Sequence, residues 1–426
     1  MNAAAASCAT DLSPDPVVAS RDTLLDAASC ADLLSTFTLD GATVDACVQR
    51  RVKYRIAESL RVVYDVSVGG RSLVMSARTF ADSEAVYSAI TPTAPVGSMP
   101  GVAHDAATSS VWWTLPNDRR MRNLGILLDA PARVRDTSGV DWARAELVEY
   151  APERSATARV VDATGRTTGY AKAYRDRDPL ELTESYNRVE AALAGVTGVR
   201  TPRVVGCSPA DRIIVLEPMP GISWTDLDAS EMHAAMSRFG AAIAHAHGLP
   251  TEHGRGPFGR YPISRVRNSA DLVATARPDL AAAAGRIRDL LGDGPPVTGP
   301  SVSLHGDVHS NNVLFDGDVV AMIDFDQGGA GPAAADLGSL LSTLLASKVL
   351  HPERAVDGLG TAFLDGYASV RELPDPDEMR WYTAAAFVAE RAIRAVNRVY
   401  RPTLAVLPEL LDLAADVLVG EVPTDV

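Results

Sequence analysis

The stretch SLHGDVHSNNVLFDGDVVAMIDFDQ, residues 303–327, decides the fold of this chain. It begins with a polar loop, continues into a short apolar run, turns at Asp-Gly-Asp, and returns through a second apolar run to an acidic end. Two short apolar runs joined by a tight glycine-containing turn are typical of a β-hairpin. The hairpin would bring Asp307, Asn312 and Asp324 to the same end.

These three side chains predict a phosphoryl-transfer site. A carboxylate and an amide oxygen suit a hard cation such as Mg²⁺, which takes oxygen ligands and keeps several waters for substrate phosphates to replace. A second carboxylate beside the acceptor hydroxyl can orient that hydroxyl and take its proton as the phosphoryl group moves.

Zinc is the alternative for this loop, because His305 and His309 stand four residues apart. In a loop, that spacing does not place both rings on one face, and no H-E-x-x-H pattern is present nearby. We therefore expect both histidines to brace the loop through hydrogen bonds to the backbone.

The two linked motifs resemble those of a known family. H-G-D-x-H-x-x-N at 305–312, followed by I-D-F-D at 323–326, is similar to the catalytic and metal-binding segments of the aminoglycoside phosphotransferase and choline kinase group, relatives of protein kinases. The likeness runs from about Trp142 to Tyr400. It implies an α+β, bilobal protein-kinase-like fold, in which a β-rich nucleotide lobe precedes a helical lobe.

The resemblance also implies roles for the acidic loop. Asp307 would be the catalytic base or the residue that orients the hydroxyl, and Asn312 and Asp324 would be Mg²⁺ ligands. Asp326 would assist with a second ion or remain a solvated carboxylate, and both alternatives stay open. Asp336 begins a predicted helix, and we expect it to be structural, as an N-terminal cap or a partner of the helix dipole.

In the smaller lobe of such kinases, a strand lysine holds the α- and β-phosphates and pairs with a helix glutamate. Lys172 in GYAKAY matches that lysine. Glu190 on the following helix matches the glutamate, with Glu184 as the alternative partner.

Two further segments are implied to contact the nucleotide. The backbone from Glu217 to Met219 resembles the hinge that meets the adenine edges. The expected phosphate-covering loop, APERSAT at 151–157, departs from the pattern because it has no glycine. Ser155 is the residue of that loop that we expect to donate to a phosphate.

Internal similarity predicts a duplicated lobe. The strand pattern that precedes residue 80 returns after Trp142: Tyr54 falls on Tyr150, and VAHDAATSSVWWTLP falls on VVGCSPADRIIVLEP without a gap. We expect two related β-rich lobes, at about 45–128 and 142–217, with residues 1–20 as a frayed tail.

The first copy lacks the catalytic residues, since Arg78 stands near the place that Lys172 takes in the second copy. We interpret this copy as a cap on the nucleotide lobe, with Trp112 and Trp113 more typical of core than of a binding surface. The predicted domains are therefore a tail and β-rich cap lobe at 1–130, a kinase-like nucleotide-binding lobe at 131–220, and a helical catalytic and acceptor-binding lobe at 221–426.

The late helices carry aromatic and basic side chains where acceptor pockets form in this family. Helical spacing puts Arg391, Arg394 and Arg398 on one face. They would bind a polar or anionic acceptor or pair with acidic neighbours, and Trp381 and Tyr382 would join the pocket.

Composition limits the possible partners. A formal net charge of −14 disfavours a nucleic-acid footprint, because such binding needs a clustered basic surface. The start of the chain lacks the features of a signal peptide, and no apolar run is long enough to suggest a membrane span. The four cysteines have no metal-ligand spacing. We expect a soluble cytoplasmic protein with no nucleic-acid or membrane partner; the oligomeric state is open.

Taken together, the motifs predict a phosphotransferase that uses ATP and Mg²⁺ to phosphorylate a hydroxyl of a small molecule: a sugar, amino sugar, aminoglycoside or natural-product intermediate. The alternative is a nucleotide-binding regulatory pseudokinase or docking protein. A protein kinase is disfavoured because no long activation segment separates Asp324 from the next helix.

Overall fold

The computed structural model describes residues 12–129, 131–251 and 262–420. The chain divides into two compact units. The first comprises Met1–Pro179, Val205–Val215 and Val396–Arg401, and the second comprises Leu180–Val204, Leu216–Ala395 and Pro402–Val426. The first unit is rich in β-strands and the second is mainly helical.

The first unit begins with two short helices and a five-stranded sheet. Their bounds are α1 Arg21–Leu25, α2 Ala27–Ser35, β1 Val44–Arg55, β2 Ser59–Val68, β3 Arg71–Thr79, α3 Ser83–Ser88, β4 Val102–Asp105 and β5 Ser110–Thr114. The strands pair in the order β1-β2-β3-β5-β4, all antiparallel. Gly69 and Gly70 form the predicted turn between β2 and β3 with φ of 54° and 73°, values that suit a tight hairpin.

A second helix pair and a second sheet follow. Their bounds are α4 Leu124–Asp129, α5 Pro131–Ser138, β6 Arg144–Ala151, β7 Ser155–Val161, β8 Thr167–Tyr174, α6 Pro179–Leu193, β9 Val199–Arg200, β10 Val204–Ser208 and β11 Ile213–Leu216. This sheet has the order β10-β11-β8-β7-β6. Read from its other edge, that is the order of the first sheet, strand for strand, which confirms the predicted duplication.

The same buried hydrogen bond anchors each copy. Tyr54 at the end of β1 donates from Oη to Asp15 Oδ2 at 2.6 Å, and Tyr150 at the end of β6 donates to Asp118 Oδ2 at 2.6 Å. Each aspartate stands six residues before its helix pair. The repeat therefore begins near Asp15, about 30 residues earlier than the predicted boundary at 45, and the expectation of a frayed tail is wrong for residues 12–20.

The turn after each tyrosine is held by the same aspartate. Ala57 and Glu153, both three residues past the tyrosine, have positive φ of 53° and 61° and donate their N–H groups to Asp15 and Asp118. Left-handed backbone is uncommon for residues other than glycine. The buried carboxylate compensates for it in both copies.

The core of the first unit explains the tryptophans. Trp112 and Trp113 are fully buried, as expected for core residues. The Trp113 indole donates from Nε1 to Tyr150 Oη at 2.9 Å, so a strand of the first sheet bonds directly to a strand of the second. Val63, on β2, packs in the same apolar cluster as the helix pair α4 and α5 and the inner face of the second sheet.

The remaining helices lie mainly in the second unit. Beside α6, they are α7 Ala229–His247, α8 Ile263–Ala276, α9 Ala281–Leu290, α10 Ala333–Leu350, α11 Leu359–Ala368, α12 Pro376–Ala386, α13 Ile393–Arg398, α14 Arg401–Ala405 and α15 Leu407–Val419. The exception is Val396–Arg401, at the end of α13 and the start of α14, which belongs to the first unit. A π-helical turn at Phe387–Ala392 joins α12 to α13. Helices α7 and α11 cross at Gly240 and Gly366, where a Cβ atom would collide with the backbone of the other helix.

Four short strands stand between these helices: β12 Ser301–Leu304, β13 Val313–Asp316, β14 Val319–Met322 and β15 Gly329–Pro332. Strand β12 pairs with β15, and β13 pairs with β14, which also pairs with β9. The hairpin predicted from residues 303–327 is therefore present.

One helix among the described residues, Ala333–Leu350, is long and apolar enough to cross a membrane by length and composition. Of its most apolar window, 67% is buried inside the protein. That is the burial of a core helix, and the apolar sequence is explained by packing on both sides.

Candidate active site

The hairpin register sets the geometry of the site. Val313 pairs with Met322, and the next residues outward are joined by a hydrogen bond from Ile323 N–H to the Asn312 carbonyl at 3.0 Å. Asn312 and Asp324 therefore stand at the same end of the hairpin, as predicted. Asp307 joins them, because Asn312 Nδ2 donates to the Asp307 carbonyl at 2.9 Å.

His305 braces this end of the hairpin from the interior. Its ring is buried; Nε2 lies 3.0 Å from the Ile323 carbonyl, and Asp307 N–H donates to Nδ1 at 3.3 Å. These partners require the neutral tautomer that carries its proton on Nε2. Burial lowers the pKa of His305 from its usual value, against the opposing charges of Asp336, Asp307 and Asp324.

His309 also supports the loop. Its Nδ1 accepts the Asn311 N–H at 3.1 Å, and its Nε2 lies 3.4 Å from Asp307 Oδ2. Both histidines thus make the bracing contacts expected of them. Within residues 12–129, 131–251 and 262–420, no group of three or more His, Cys, Asp or Glu side chains could hold a metal, so zinc gains no support.

Asp336 holds the loop in a way that the sequence did not indicate. Its fully buried carboxylate accepts N–H groups of His305 at 2.7 Å and Gly306 at 3.1 Å, and it lies 3.3 Å from His247 Nε2. The expectation that Asp336 is structural is confirmed. It lies in the first turn of α10, the position of the predicted helix-dipole partner, but it is not the cap, because the residue before the helix is Pro332 and no side chain caps it. The carboxylate instead accepts hydrogen bonds from the backbone of the loop at His305 and Gly306.

Gly306 and Asp324 make the two sharp bends of the site. Gly306 has a φ of 81°, and a Cβ atom there would collide with the Gln327 carbonyl. Asp324 has φ 65° and ψ 57°, the left-handed region that aspartate tolerates better than most residues. Strained backbone of this kind is concentrated at functional sites in proteins.

The donor set fits a magnesium ion. Asn312 uses its Nδ2 toward Asp307, and this orientation leaves Oδ1 as an acceptor. With the Asp324 carboxylate it supplies one amide and one carboxylate oxygen, the hard ligands that Mg²⁺ takes together with substrate phosphates. Asp326, the predicted assistant, accepts a hydrogen bond from Tyr186 Oη at 2.8 Å, so one of its oxygens is engaged by α6.

Helix α6 distinguishes the two candidate glutamates. Glu190 lies one turn after Tyr186, on the same side of the helix as the hydrogen bond to Asp326. Glu184 lies on the opposite side, is exposed, and pairs with Arg188 at 3.6 Å. The helix geometry favours Glu190, and its pairing with Lys172 stays a prediction.

Lys172 occupies β8 opposite Thr157 of β7. Alternate residues of β8, Ala171 and Ala173, face the core of the first unit. Lys172 therefore stands on the other face of this sheet. Ser155 begins β7 on the same face as Thr157.

The turn before Ser155 replaces glycine with a charge cluster. The Glu153 side chain, 1% exposed, is paired with Arg61, Arg78 and Arg119. These arginines lie in the first copy or just after it, and they hold the pKa of Glu153 below its usual value against the effect of burial. The first copy thus fixes the turn that corresponds to the phosphate-covering loop, a contact that no motif in the sequence signalled.

The hinge segment has one backbone donor to offer. Pro218 and Pro220 carry no N–H, so Met219 has the only one between 218 and 220. Glu217 is held at the start of this segment, where its N–H donates to the Arg203 carbonyl at 2.9 Å and its carboxylate lies 3.1 Å from the Arg203 Nε.

The late helices contribute one side chain near Asp307. Arg394 Nη2 lies 3.9 Å from Asp307 Oδ1 and 3.9 Å from Glu390 Oε2. Glu390 is buried in the π-helical turn and also pairs with Arg391 at 2.9 Å. For Arg391 and Arg394, the alternative that they pair with acidic neighbours is confirmed. One of the two acidic neighbours of Arg394 is Asp307, the candidate catalytic residue.

Two aromatic residues predicted at the acceptor pocket are core residues instead. Trp381 and Tyr382 are buried, and the Trp381 indole donates to the Leu291 carbonyl at 2.9 Å. Burial raises the pKa of Tyr382 to about 12. Both residues lie on α12, which packs against α10 and α15, and this packing accounts for their burial. The prediction that they line an acceptor pocket is therefore wrong.

Comparisons with known proteins identify the family of this chain. A model of the phosphotransferase enzyme family matches residues 149–382, more than half of the chain. No curated protein matches the sequence. The match begins within β6, includes the rest of the second sheet and the helices from α6 into α12, and leaves the first copy outside it.

Solved structures of phosphotransferases are similar to this chain at low identity. Spectinomycin phosphotransferase APH(9)-Ia, in complex with ADP and spectinomycin, is 12% identical with a TM-score of 0.51, covering 68% of this chain and 97% of its own. Macrolide 2′-phosphotransferase MphH from Brachybacterium faecium is 20% identical over 70% of this chain and 97% of its own, with a TM-score of 0.44. Aminoglycoside phosphotransferase APH(3″)-Id from Streptomyces rimosus is 21% identical over 62% and 99%, with a TM-score of 0.41. The first of these confirms the α+β kinase-like fold predicted from the sequence.

Proposed function

The chain belongs to the phosphotransferase enzyme family, as a kinase-type enzyme with an alcohol group as acceptor, and we propose that it transfers the γ-phosphoryl group of ATP to a small-molecule hydroxyl with the help of Mg²⁺. The acceptor class is a sugar, amino sugar, aminoglycoside or natural-product intermediate. The observation that carries the proposal is the convergence of Asp307, Asn312 and Asp324 at one end of the β13–β14 hairpin.

Asp307 is the proposed catalytic base. A quarter of its side chain is exposed, so a hydroxyl can reach the carboxylate, while its backbone is fixed by His305 and Asn312. Asp307 orients the acceptor hydroxyl and takes its proton as the acceptor oxygen bonds to the γ-phosphorus. The bond from that phosphorus to the ADP oxygen breaks in the same step.

Asn312 Oδ1 and the Asp324 carboxylate are the proposed metal ligands, with Asp326 as a further oxygen donor. The bound ion would supply charge neutralisation on the β- and γ-phosphates. The proposal is supported by the orientation of the Asn312 amide, which directs Nδ2 to Asp307 and leaves Oδ1 for a cation.

Lys172 and Ser155 are the proposed phosphate contacts, and Glu190 is the proposed partner of Lys172. The backbone of Glu217 to Met219 is the proposed adenine contact, since it offers one N–H between two prolines. The ADP and spectinomycin in the similar structure agree with a nucleotide donor and a small polar acceptor. We further propose a cytoplasmic location, where ATP is available.

The competing proposal is a nucleotide-binding regulatory protein without catalysis. It is favoured only by the extra copy of the β-rich lobe, which contacts the turn at Glu153. A binding protein has no use for a partly exposed carboxylate that can orient and deprotonate a hydroxyl, and Asp307 argues against this alternative.

The deciding experiment measures phosphate transfer from Mg·ATP to a panel of aminoglycosides, amino sugars, simple sugars and amino alcohols by mass spectrometry. Asp307→Asn is expected to lower kcat by at least about 100-fold while Mg·ATP still binds. Asp316→Asn, at the other end of the same hairpin, is the matched control and is expected to keep full activity. Equal Mg·ATP binding by all three proteins with no acceptor phosphorylated would favour the regulatory alternative.

A further inference from the structure

A cavity of about 240 Å³ lies in the first unit, apart from the residues proposed for catalysis. Its lining is almost entirely cationic, and comprises Lys53, Arg55, Ser59, Arg61, Arg78, Glu153, Arg154 and Arg175. Six positive side chains around one carboxylate is an unusual concentration in a chain whose net charge is −14. The positive charge of the lining therefore favours binding of an anion in this cavity.

Strand register places the floor of this cavity on one face of the first sheet. Lys53 on β1 pairs with Arg61 on β2, and Arg61 pairs with Arg78 on β3. Residues directly opposite on neighbouring strands share a face, so the three cations form a row across the sheet. The Arg78 guanidinium also stacks over the Phe80 ring, 4.8 Å from its centroid.

The same row in the second copy contains the proposed phosphate contacts. Arg61 pairs with Arg78 in the first sheet, as Thr157 pairs with Lys172 in the second. Arg78 thus occupies the ladder position of Lys172, and this confirms the alignment predicted from the sequence. By the same register, Ser59 at the start of β2 occupies the position of Ser155 at the start of β7.

The protein balances the charges in the cavity only in part. Arg55 pairs with Glu58 and Arg175 pairs with Asp176, while Glu153 divides its single charge among Arg61, Arg78 and Arg119. Among the described residues, neither the Lys53 ammonium nor the Arg154 guanidinium has an ion pair or hydrogen bond to a protein group. The Nε atoms of Arg61 and Arg78 are buried without an acceptor, which is costly unless a ligand supplies one.

Burial and the neighbouring arginines both disfavour the charged form of Lys53. Burial, followed by the charges of Arg154, Arg55, Arg61 and Arg51, lowers the pKa of Lys53 to about 8. A bound anion would relieve this repulsion.

We propose that this cavity binds a small phosphate monoester or inorganic phosphate, held by Arg61, Arg78, Lys53 and Arg154 with the Ser59 hydroxyl as a further donor. Guanidinium groups match the oxygens of a phosphate dianion through paired hydrogen bonds. The volume is below the roughly 300–1,000 Å³ of sites for drug-sized ligands, which suits one phosphate with a small organic remainder. The site is separate from the proposed catalytic reaction and does not depend on it.

The site also touches the phosphate-covering turn of the second copy. Glu153 and Arg154 belong to the turn between β6 and β7, immediately before Ser155. A phosphate in the cavity competes with Glu153 for Arg61 and Arg78. Occupancy of the cavity is therefore expected to change nucleotide affinity.

The test is isothermal titration of the full chain, in low-salt buffer, with inorganic phosphate and separately with glucose 6-phosphate. The double variant Lys53→Gln, Arg154→Gln is expected to bind both probes at least tenfold more weakly than the wild type. Arg50→Gln, which removes one positive charge from the same strand outside the cavity, is the matched control and is expected to bind unchanged. Thermal unfolding, followed by circular dichroism, checks that the double variant is folded.

The outcomes separate the sources of phosphate. Equal affinity for the two probes assigns the site to the phosphate group alone, whereas tighter binding of glucose 6-phosphate assigns it to a phosphorylated metabolite. The proposal is overturned if neither probe binds, if the double variant binds as well as the wild type, or if saturating ADP displaces the probe completely, which would place it in the nucleotide site.

Discussion

His305 donates from Nε2 to the Ile323 carbonyl at 3.0 Å, and this bond joins the catalytic loop to the acidic end of the hairpin. Because the same ring accepts the Asp307 N–H, its removal frees the backbone on both sides of the site. His305→Phe keeps the ring volume but leaves both backbone groups without a partner. We expect this variant to lower the free energy of unfolding by about 1–3 kcal/mol, measured by urea denaturation. We also expect a lower kcat, with a smaller change in the KM for ATP.

His351→Phe is the control for this prediction. The His351 side chain is 54% exposed and lies at the end of α10, far along the chain from the loop, so its substitution is expected to leave kcat unchanged. If His305→Phe retained the wild-type kcat, the ring would have no part in positioning Asp307.

The charge cluster around Glu153 gives a second prediction. Glu153→Gln removes a buried carboxylate and leaves Arg61, Arg78 and Arg119 without their common partner. Breaking a buried ion pair by removing one member typically costs about 3–5 kcal/mol, and we expect a loss of this size in chemical denaturation. Glu149→Gln is the matched control, because the Glu149 side chain is 63% exposed in its pair with Arg51 and is expected to contribute less than about 1 kcal/mol.

The two anchoring aspartates test the duplication. Asp15→Asn and Asp118→Asn each weaken the bond to a buried tyrosine and to a left-handed turn residue, and we expect both to lower the unfolding temperature. Only Asp118 supports the turn that precedes Ser155. Nucleotide affinity, measured by calorimetry, is therefore expected to fall in Asp118→Asn and to remain near wild type in Asp15→Asn; equal losses in both would contradict the assigned roles.

The hairpin and the strand order were predictable because they depend on local patterns. Apolar runs around Asp316-Gly317-Asp318 and around Gly69-Gly70 fix each turn, and the internal similarity between Tyr54 and Tyr150 fixes the relation of the two sheets. Contacts between residues far apart in sequence leave no such pattern. Asp336 bonding to His305 and Glu153 pairing with Arg61 join segments 31 and 92 residues apart, and only packing in three dimensions selects them.

The position of a residue along the sequence also predicts its role less well than its burial in the fold does. Trp381 and Tyr382 were expected in an acceptor pocket because aromatic residues on late helices are common there, yet α12 is covered on several sides and both are core residues. Asp15 was assigned to a frayed tail by its place near the start of the chain, although its carboxylate accepts a buried hydrogen bond.

Substitutions of Arg394 and Arg391 are expected to affect catalysis and stability differently. Arg394→Gln removes the cation 3.9 Å from Asp307, and we expect about a tenfold loss in kcat/KM for the acceptor, which corresponds to about 1.4 kcal/mol. Arg391→Gln breaks the closer pair with the buried Glu390, at 2.9 Å, and is expected to lower stability more than activity. If Arg391→Gln lost more kcat/KM than Arg394→Gln, the proposed role of Arg394 at the acceptor site would be contradicted.

Lys53 makes a prediction about pH. Its pKa is lowered to about 8 in the folded protein, mainly by burial and by the surrounding arginines, while the ordinary value for lysine of 10.5 applies to the unfolded chain. Between pH 8 and 10.5 the unfolded chain therefore holds a proton that the folded protein has lost, and the contribution of Lys53 to stability rises with pH. At pH 7 the charge on this half-buried side chain lowers stability, so Lys53→Gln is expected to be more stable than the wild type in phosphate-free buffer. Urea denaturation at intervals of pH from 7 to 10 should show this advantage shrinking above pH 8. An advantage that stays constant would mean that Lys53 keeps its ordinary pKa, and that the cavity exerts no repulsion for an anion to relieve.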